Sequence, residues 1–152
     1  MGFKDYIISE SAVICNMEAQ TWEEAVLQGG QLLVDKGKAK PEYLTNIVKK
    51  CKENGPYIVI APGIAMPHAR PEEGAMGLGY GIVTLKNPVL FGDPDNDPIK
   101  LLIYLVAPDA KDHNEVAVSQ IADLCDNEDT IQLLLKAESA SEIIQILKGE
   151  DR

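Results

Sequence analysis

The 152-residue chain is poor in the residues that usually form metal or redox sites. It has two histidines and three cysteines, and no apolar run approaches the roughly 18 residues of a membrane span. Cys15, Cys51 and Cys125 are odd in number and form no Cys-x-x-Cys pair, which argues against a disulfide framework or a zinc site. We expect reduced, mostly buried thiols in a cytoplasmic protein with no metal and no cofactor.

Positive charge is also scarce, since the formal net charge is -10 at pH 7. A surface of this sign repels nucleic acid and anionic membranes. We therefore expect neither nucleic-acid binding nor insertion into a membrane, and a basic protein surface is the natural electrostatic complement. The length predicts one ordinary domain covering residues 1–152.

One stretch gathers the scarce residues. Residues 61–71 are Ala-Pro-Gly-Ile-Ala-Met-Pro-His-Ala-Arg-Pro, and they hold one of two histidines and one of two arginines. Because a neutral imidazole has a pKa of about 6.5, His68 is a nucleophile near physiological pH. Pro67 and Pro71 disfavour helix around it, so His68 should lie on a stiff, non-helical segment. The guanidinium of Arg70 suits two phosphate oxygens, with a surface salt bridge as the alternative.

Capping signals predict two helices before this stretch. The capping box Thr21–Glu24 opens a helix that should run to about Asp35, and Pro41 opens a second one that should end at Gly55. The apolar pieces at 6–8 and 12–15 fit either a strand or a lead-in.

The middle of the chain has strand character. The run Tyr57–Ile60 leads straight to the His68 segment. Residues 77–85 alternate glycine with larger side chains, so one face is bare over three positions; it either packs closely against a neighbour or leaves room for a phosphoryl group. After a turn at Asp93–Pro98, residues Ile99–Val106 are mostly apolar and should form a central strand buried on both faces.

The C-terminal third has helical periodicity. A helix should begin at Asp112–Glu115, a short one should cover Asp129–Lys136, and the capping box Ser139–Glu142 should open the last. The whole pattern predicts an α/β fold, a single layered domain in which a small mixed β-sheet is flanked by helices on both sides.

The run Gly-Ile-Ala-Met-Pro-His-Ala-Arg at 63–70 resembles the phosphorylation-site motif of the EIIA proteins of the bacterial sugar phosphotransferase system (PTS), in the mannitol/fructose superfamily (EIIA type 2). The resemblance extends from about Ser9 to about Leu147, and Phe91–Pro98 is most similar to the ascorbate-type branch. It implies a relay in which His68 accepts phosphate from the phosphocarrier protein HPr and passes it to a cysteine of EIIB for carbohydrate uptake. A regulatory EIIA-like phosphoprotein is the alternative for the same histidine.

The resemblance also implies supporting residues. In the family a histidine at the head of the matching helix lies beside the phosphorylated one, which gives His113 an assisting role. With Asp112 as the cap, the helix dipole would favour the neutral form of His113. The family often has an arginine sixteen residues before the phosphorylated histidine, where this chain has Lys52. Lys52 would keep the positive charge for phosphate binding but lose the bidentate fork of arginine, and a solvated lysine on the helix face is the alternative.

Two other chemistries are weakly supported by the sequence. A metal-dependent hydrolase would need His68, His113 and a carboxylate such as Asp97 or Asp112 as ligands, but no His-x-x-x-His spacing is present. A Cys-His nucleophile pair would need a catalytic pattern around a cysteine, and none of the three has one.

Overall fold

The computed structural model describes the backbone of residues 2–109 and 112–150 and the side chains of 2–109 and 116–149. Six α-helices and five β-strands occur in this part of the chain. In chain order they are α1 (Phe3–Glu10), β1 (Val13–Met17), α2 (Trp22–Asp35), α3 (Pro41–Asn54), β2 (Val59–Ala61), β3 (Ile64–Ala65), β4 (Gly79–Val89), β5 (Ile99–Val106), α4 (Asp112–Asp126), α5 (Glu128–Lys136) and α6 (Ala140–Glu150). Among these helices, none combines the length and the apolar composition that crossing a membrane requires.

The five strands form one mixed sheet in the order β1-β4-β5-β3-β2. The pairs β1–β4 and β3–β5 are parallel, whereas β4–β5 and β2–β3 are antiparallel. Strand β5 is the middle strand, and seven of its eight residues are buried. The prediction that Ile99–Val106 is a central buried strand is therefore confirmed.

Side chains of β5 alternate between two separate cores, as the pleat of a strand requires. Leu101, Ile103 and Leu105 pack with buried residues of α1, α4, α5 and α6. Leu102, Tyr104 and Val106 pack with buried residues of α2 and α3 on the other face. The predicted α/β fold, with helices on both sides of a small mixed sheet, is confirmed.

Both helices predicted before the His68 segment are present. The side chain of Thr21 accepts a hydrogen bond from the Glu24 N–H at 3.2 Å, so the first capping signal is used as expected. Pro41 stands at the first position of α3, where its missing N–H costs nothing.

Two boundaries differ from the sequence prediction. Residues 6–8 lie inside α1 and are no strand, because Phe3, Tyr6 and Ile7 are buried at helical spacing that a three-residue window conceals. The strand predicted at 57–60 is shifted to β2 at 59–61. The first two residues of the predicted strand belong to the turn that follows α3. This turn is formed by hydrogen bonds from Tyr57 N to Gly55 O and from Val59 N to Pro56 O.

The bare face of the glycine-rich strand is closely packed. A Cβ on Gly79 would lie 2.9 Å from Cγ of Lys38, and one on Gly81 would lie 3.4 Å from a methyl group of Leu32. This face is therefore covered by α2 and the connection that follows it. Of the two explanations for the glycines, the structure favours the close neighbour.

The contact between α2 and β5 depends on a third glycine. The hydroxyl of Tyr104 lies 2.9 Å from the carbonyl oxygens of Ala25 and of Val26. A Cβ on Gly29 would lie 2.6 Å from this hydroxyl. Because Tyr104 is fully buried, its ring has no free space to move into. Gly29 thereby lets α2 fix the central strand.

Replacing Gly29 by alanine should destabilise the protein. Overpacking of a filled core costs about 1–3 kcal/mol, more than the roughly 0.5–1 kcal/mol that alanine gains over glycine within a helix. The matched control is Gly149→Ala in α6, where an added Cβ has no neighbour within 4 Å. Urea unfolding followed by circular dichroism should show a lower free energy of unfolding for Gly29→Ala and an unchanged or higher one for Gly149→Ala; a Gly29→Ala protein as stable as wild type would contradict the packing account.

Candidate functional site

A tight hairpin brings the chain to His68. Strands β2 and β3 are joined through Pro62 and Gly63, and Gly63 has φ of +77°, a value that glycine tolerates without strain. The backbone of Gly63 donates to the carbonyl oxygen of Asn96 at 2.9 Å and accepts from the N–H of Lys100 at 3.0 Å. The turn is thus held against the loop that precedes β5.

That loop owes its shape to Asp97. Its carboxylate accepts hydrogen bonds from the N–H groups of Phe91, Gly92 and Asp93 at 2.8 to 2.9 Å. These bonds give Asp97 a structural role close to the hairpin. A carboxylate committed to three backbone donors is a poor candidate for the metal ligand that the hydrolase hypothesis needs.

The segment between β3 and His68 runs as extended chain. Met66 donates its N–H to the carbonyl oxygen of Ile58 at 2.7 Å, and Leu105 donates its N–H to the carbonyl oxygen of Pro67 at 3.2 Å. The backbone immediately before His68 is therefore tied on one side to the chain entering β2 and on the other to the end of the central strand. This confirms the prediction of a stiff, non-helical segment.

Two tyrosines hold the backbone around the histidine. The hydroxyl of Tyr57 donates to the carbonyl oxygen of His68 at 2.5 Å, and the two rings meet edge to face with centroids 5.3 Å apart. The hydroxyl of Tyr43 accepts from the N–H of Ala69 at 2.9 Å and donates to the carbonyl oxygen of Leu105 at 2.8 Å. Burial raises the pKa of Tyr43 to about 12, so its hydroxyl keeps the proton it donates.

The imidazole of His68 has a defined tautomer. Its Nδ1 lies 2.6 Å from the carbonyl oxygen of Met66. Because a carbonyl oxygen only accepts, Nδ1 must carry the hydrogen, and in the neutral ring the lone pair then lies on Nε2. The geometry therefore makes Nε2 the nucleophilic nitrogen.

His68 is also kept neutral. Burial lowers its pKa below the ordinary value by disfavouring the charged ring, the hydrogen bond to Met66 opposes this effect, and the positive charge of Lys50 adds to the lowering. The neutral, nucleophilic form consequently predominates at pH 7.

A cavity of about 440 Å³ opens beside the ring. Two cations, the imidazole of His68 and three further polar side chains lie around it together with small and apolar groups. The lining residues are Tyr43, Lys50, Asn54, Tyr57, His68, Ala69, Arg70, Pro71, Leu105 and Ala107. Among the residues whose side chains the structure describes, this lining carries two positive charges and no carboxylate, which suits a small anion.

The chain that leaves His68 is docked onto α3. Residues Pro71–Glu73 form a short 3-10 helix. Its Glu73 makes an ion pair with Lys50, and the carbonyl oxygen of Glu73 accepts from the side chain of Asn46 at 3.0 Å. Arg70, which immediately precedes this turn, is exposed and lies at the cavity.

The structure separates the residues predicted for the site. His68 and Arg70 share the cavity, as expected. Lys52 lies outside its lining in the described part of the chain; its ammonium is 3.8 Å from Glu23 and its side chain is 60% exposed. His113 lies in the first turn of α4, but its side chain falls outside the described residues, as does that of Asp112.

Helix α3 contributes residues to the cavity that the sequence motifs around His68 do not indicate. Tyr43, Lys50 and Asn54 are seven and four residues apart, which places them on one face of a helix. The spacing from the buried Tyr43 was the signal that could have singled out Lys50.

Comparisons with known proteins agree with this geometry. Residues 6–150 match the family model described as "Phosphoenolpyruvate-dependent sugar phosphotransferase system, EIIA 2". The chain is 40% identical over 147 residues to the ascorbate-specific PTS system EIIA component of Escherichia coli K12, covering 97% of this chain and 96% of that protein.

Solved structures show the same fold. The mannitol-specific cryptic phosphotransferase enzyme IIA of Escherichia coli superposes with a TM-score of 0.85 at 36% identity, covering 98% of this chain and 99% of the other. The mannitol enzyme IIA of Escherichia coli, solved in complex with phosphorylated enzyme IIB, gives a TM-score of 0.76 at 26% identity, covering 91% and 94%.

The chain belongs to the EIIA 2 family of the phosphoenolpyruvate-dependent sugar phosphotransferase system. The resemblance seen in residues 63–70 is thereby confirmed. The protein is a phosphotransferase component of that system.

The depressed pKa of His68 can be measured directly. A titration of the ¹⁵N-labelled imidazoles by NMR should give His68 a pKa below the value of about 6.5 found for an unperturbed histidine. The signal is assigned by its loss in His68→Gln, and the same titration in urea supplies the unfolded reference. A folded-state pKa equal to or above that reference would contradict the description of His68 as a desolvated, neutral ring.

Proposed function

We propose that this protein is a cytoplasmic phosphoryl relay in which His68 accepts a phosphoryl group from phospho-HPr and passes it to a cysteine of an EIIB protein. The hydrogen bond from His68 Nδ1 to the Met66 carbonyl oxygen is the observation that carries the proposal. It leaves a neutral ring with its lone pair on Nε2, beside a cavity lined by two cations. Membership of the EIIA 2 family supplies the reaction class.

The transfer follows from these groups. Nε2 attacks the phosphorus of the phosphohistidine on HPr, and the new N–P bond forms as the donor's N–P bond breaks. The proton on Nδ1 stays in place, because the Met66 carbonyl oxygen holds it. This hydrogen bond also stabilises the positive charge that the ring gains when Nε2 is phosphorylated.

The negative charge of the phosphoryl oxygens has to be stabilised by cations or hydrogen-bond donors. Arg70 is proposed to bind them from the cavity wall, and its exposure leaves it free to meet the group as it arrives. His113 is proposed to assist from the first turn of α4. For Lys52 we propose no direct contact with the phosphoryl group, since its ammonium lies near Glu23.

The onward acceptor is proposed to be a separate EIIB protein. The solved complex of mannitol enzyme IIA with phosphorylated enzyme IIB provides the precedent. Two of the three thiols of this chain are poor alternatives, because burial raises the pKa of Cys51 and of Cys125 to about 11 and keeps both protonated at neutral pH. The 40% identity to an ascorbate-specific EIIA component leads us to propose ascorbate as the transported compound.

Incubation with EI, HPr and phosphoenolpyruvate should place one acid-labile phosphate on His68, located by mass spectrometry. His68→Gln should take up no label because it lacks the nucleophile. His113→Gln is the matched control: it removes the other histidine and should still be labelled at His68. Label that persists in His68→Gln would overturn the assignment.

Onward transfer completes this test. Addition of the EIIB of the ascorbate-specific system should discharge the labelled protein, and the EIIB of a mannitol-specific system should do so more slowly. A protein with all three cysteines replaced by serine should discharge at the wild-type rate. Failure of that variant to pass on its phosphate while remaining folded would point to internal transfer through a thiol.

A further inference from the structure

Two lysines of α3 differ sharply in their surroundings. Lys50 lines the cavity beside His68, whereas Lys52 lies near Glu23 of α2. Two residues along a helix correspond to a rotation of about 200°, so their side chains leave the helix on nearly opposite sides. The side chain of Lys50 therefore lies at the cavity, and that of Lys52 points away from it.

Lys50 is held where a phosphoryl group on His68 can reach it. Its ammonium makes an ion pair with Glu73, and the two side chains are only 28% and 18% exposed. Its charge is felt by the histidine, since it contributes to the lowered pKa of His68. Partial burial of the pair reduces screening by water, so its interactions there are stronger than those of an exposed pair.

Arrival of a phosphoryl group changes the balance at Lys50. Such a group carries a charge of about -1.5 to -2 at pH 7, against -1 for the carboxylate of Glu73. At equal distance the phosphoryl group therefore attracts the ammonium almost twice as strongly. Glu73 is then left as a negative charge near another anion and disfavours the phosphorylated state unless Lys50 lies between them.

We infer that Lys50, in addition to Arg70, binds the phosphoryl group on His68, and that Glu73 holds Lys50 ready in the unphosphorylated protein and competes for it afterwards. This inference rests on the proposed phosphorylation of His68 and names a phosphate-binding residue two positions before the one suggested by the family pattern. Lys50 acts by direct contact with the phosphoryl oxygens. Glu73 acts through Lys50 and is a positioning residue.

A small phosphoryl donor separates this role from the docking of partner proteins. With phosphoramidate, the donor's P–N bond breaks, the His68 Nε2–P bond forms and ammonia leaves. Lys50→Met should be labelled at least about tenfold more slowly than wild type. Removing a hydrogen-bond donor from a fully enclosed active site typically costs about a hundredfold or more in rate, and a smaller loss is expected here because this site is partly open. Lys50→Arg should recover most of the rate.

The matched control is Lys52→Met, which removes the same charge from the same helix and should react within about twofold of wild type, as expected for a screened surface charge. Equal rates for Lys50→Met and Lys52→Met would overturn the inference. A Lys50→Met protein slowed only with HPr as donor would also overturn it, because Lys50 would then be a docking residue.

A second readout does not depend on rate. The second ionisation of the phosphoryl group can be followed by ³¹P NMR in the phosphorylated proteins. A nearby ammonium favours the dianion, so Lys50→Met should raise this pKa and Lys52→Met should leave it unchanged. A purely structural role for Lys50 would move neither value, and an unchanged pKa in Lys50→Met contradicts direct contact.

The role of Glu73 is tested by a double-mutant cycle. Glu73→Gln removes the competing charge and should speed phosphorylation by phosphoramidate. Glu73→Gln should raise the rate by a larger factor in the Lys50→Met background than in wild type, because the carboxylate is uncompensated there, so the double variant should react faster than the two single effects combined would give. Strictly additive effects would refute the competition.

Failure of this inference is distinguishable from failure of the proposed function. If wild-type protein takes up no phosphate on His68 from either donor, the proposed function is wrong. If wild type is labelled at His68 and Lys50→Met behaves like Lys52→Met, the relay stands and the assignment of Lys50 falls. Circular dichroism of each variant establishes that the compared proteins are folded.

Discussion

The hydrogen bond between His68 Nδ1 and the Met66 carbonyl oxygen determines the chemistry of this protein, because it decides which ring nitrogen keeps a lone pair. Met66 lies two residues before the histidine, and the bond requires its carbonyl group to keep a fixed orientation toward the imidazole. Hydrogen bonds to Ile58 and Leu105 hold that stretch of backbone between the hairpin and the central strand. The mixed sheet, with β5 at its centre, is thus the frame that turns an ordinary histidine into an oriented nucleophile.

In the proposed relay the site has to attract a phosphoryl group although the protein as a whole is strongly acidic, with a formal net charge of -10. Local positive charge from Lys50 and Arg70 resolves this conflict at the cavity. Two cations alone would attract any small anion. The ion pair of Lys50 with Glu73 therefore has a second consequence. It lowers the net charge around the cavity, and an incoming anion has to outcompete the carboxylate of Glu73 for the ammonium of Lys50.

Sequence alone was sufficient where local rules decide the structure. The two prolines around His68, the capping box at Thr21 and the apolar run of β5 act over a few residues, and each led to the observed element. Prediction failed where distant parts of the chain meet. The hydrogen bond from Ala69 to Tyr43 spans 26 residues, and the choice between Lys50 and Lys52 depends on how α3 is rotated against the sheet. Periodicity defines the buried stripe of a helix but does not say which flank of that stripe borders a site.

The central claim is that the carbonyl of Met66 reserves Nε2 for the phosphoryl group. The most direct measurement is an NMR spectrum of protein labelled with ¹⁵N-histidine and phosphorylated in place, in which coupling between phosphorus and nitrogen identifies the bonded atom. The account predicts phosphorus on Nε2 and a retained hydrogen on Nδ1. Phosphorus on Nδ1 would require the bond to Met66 to break and would contradict it.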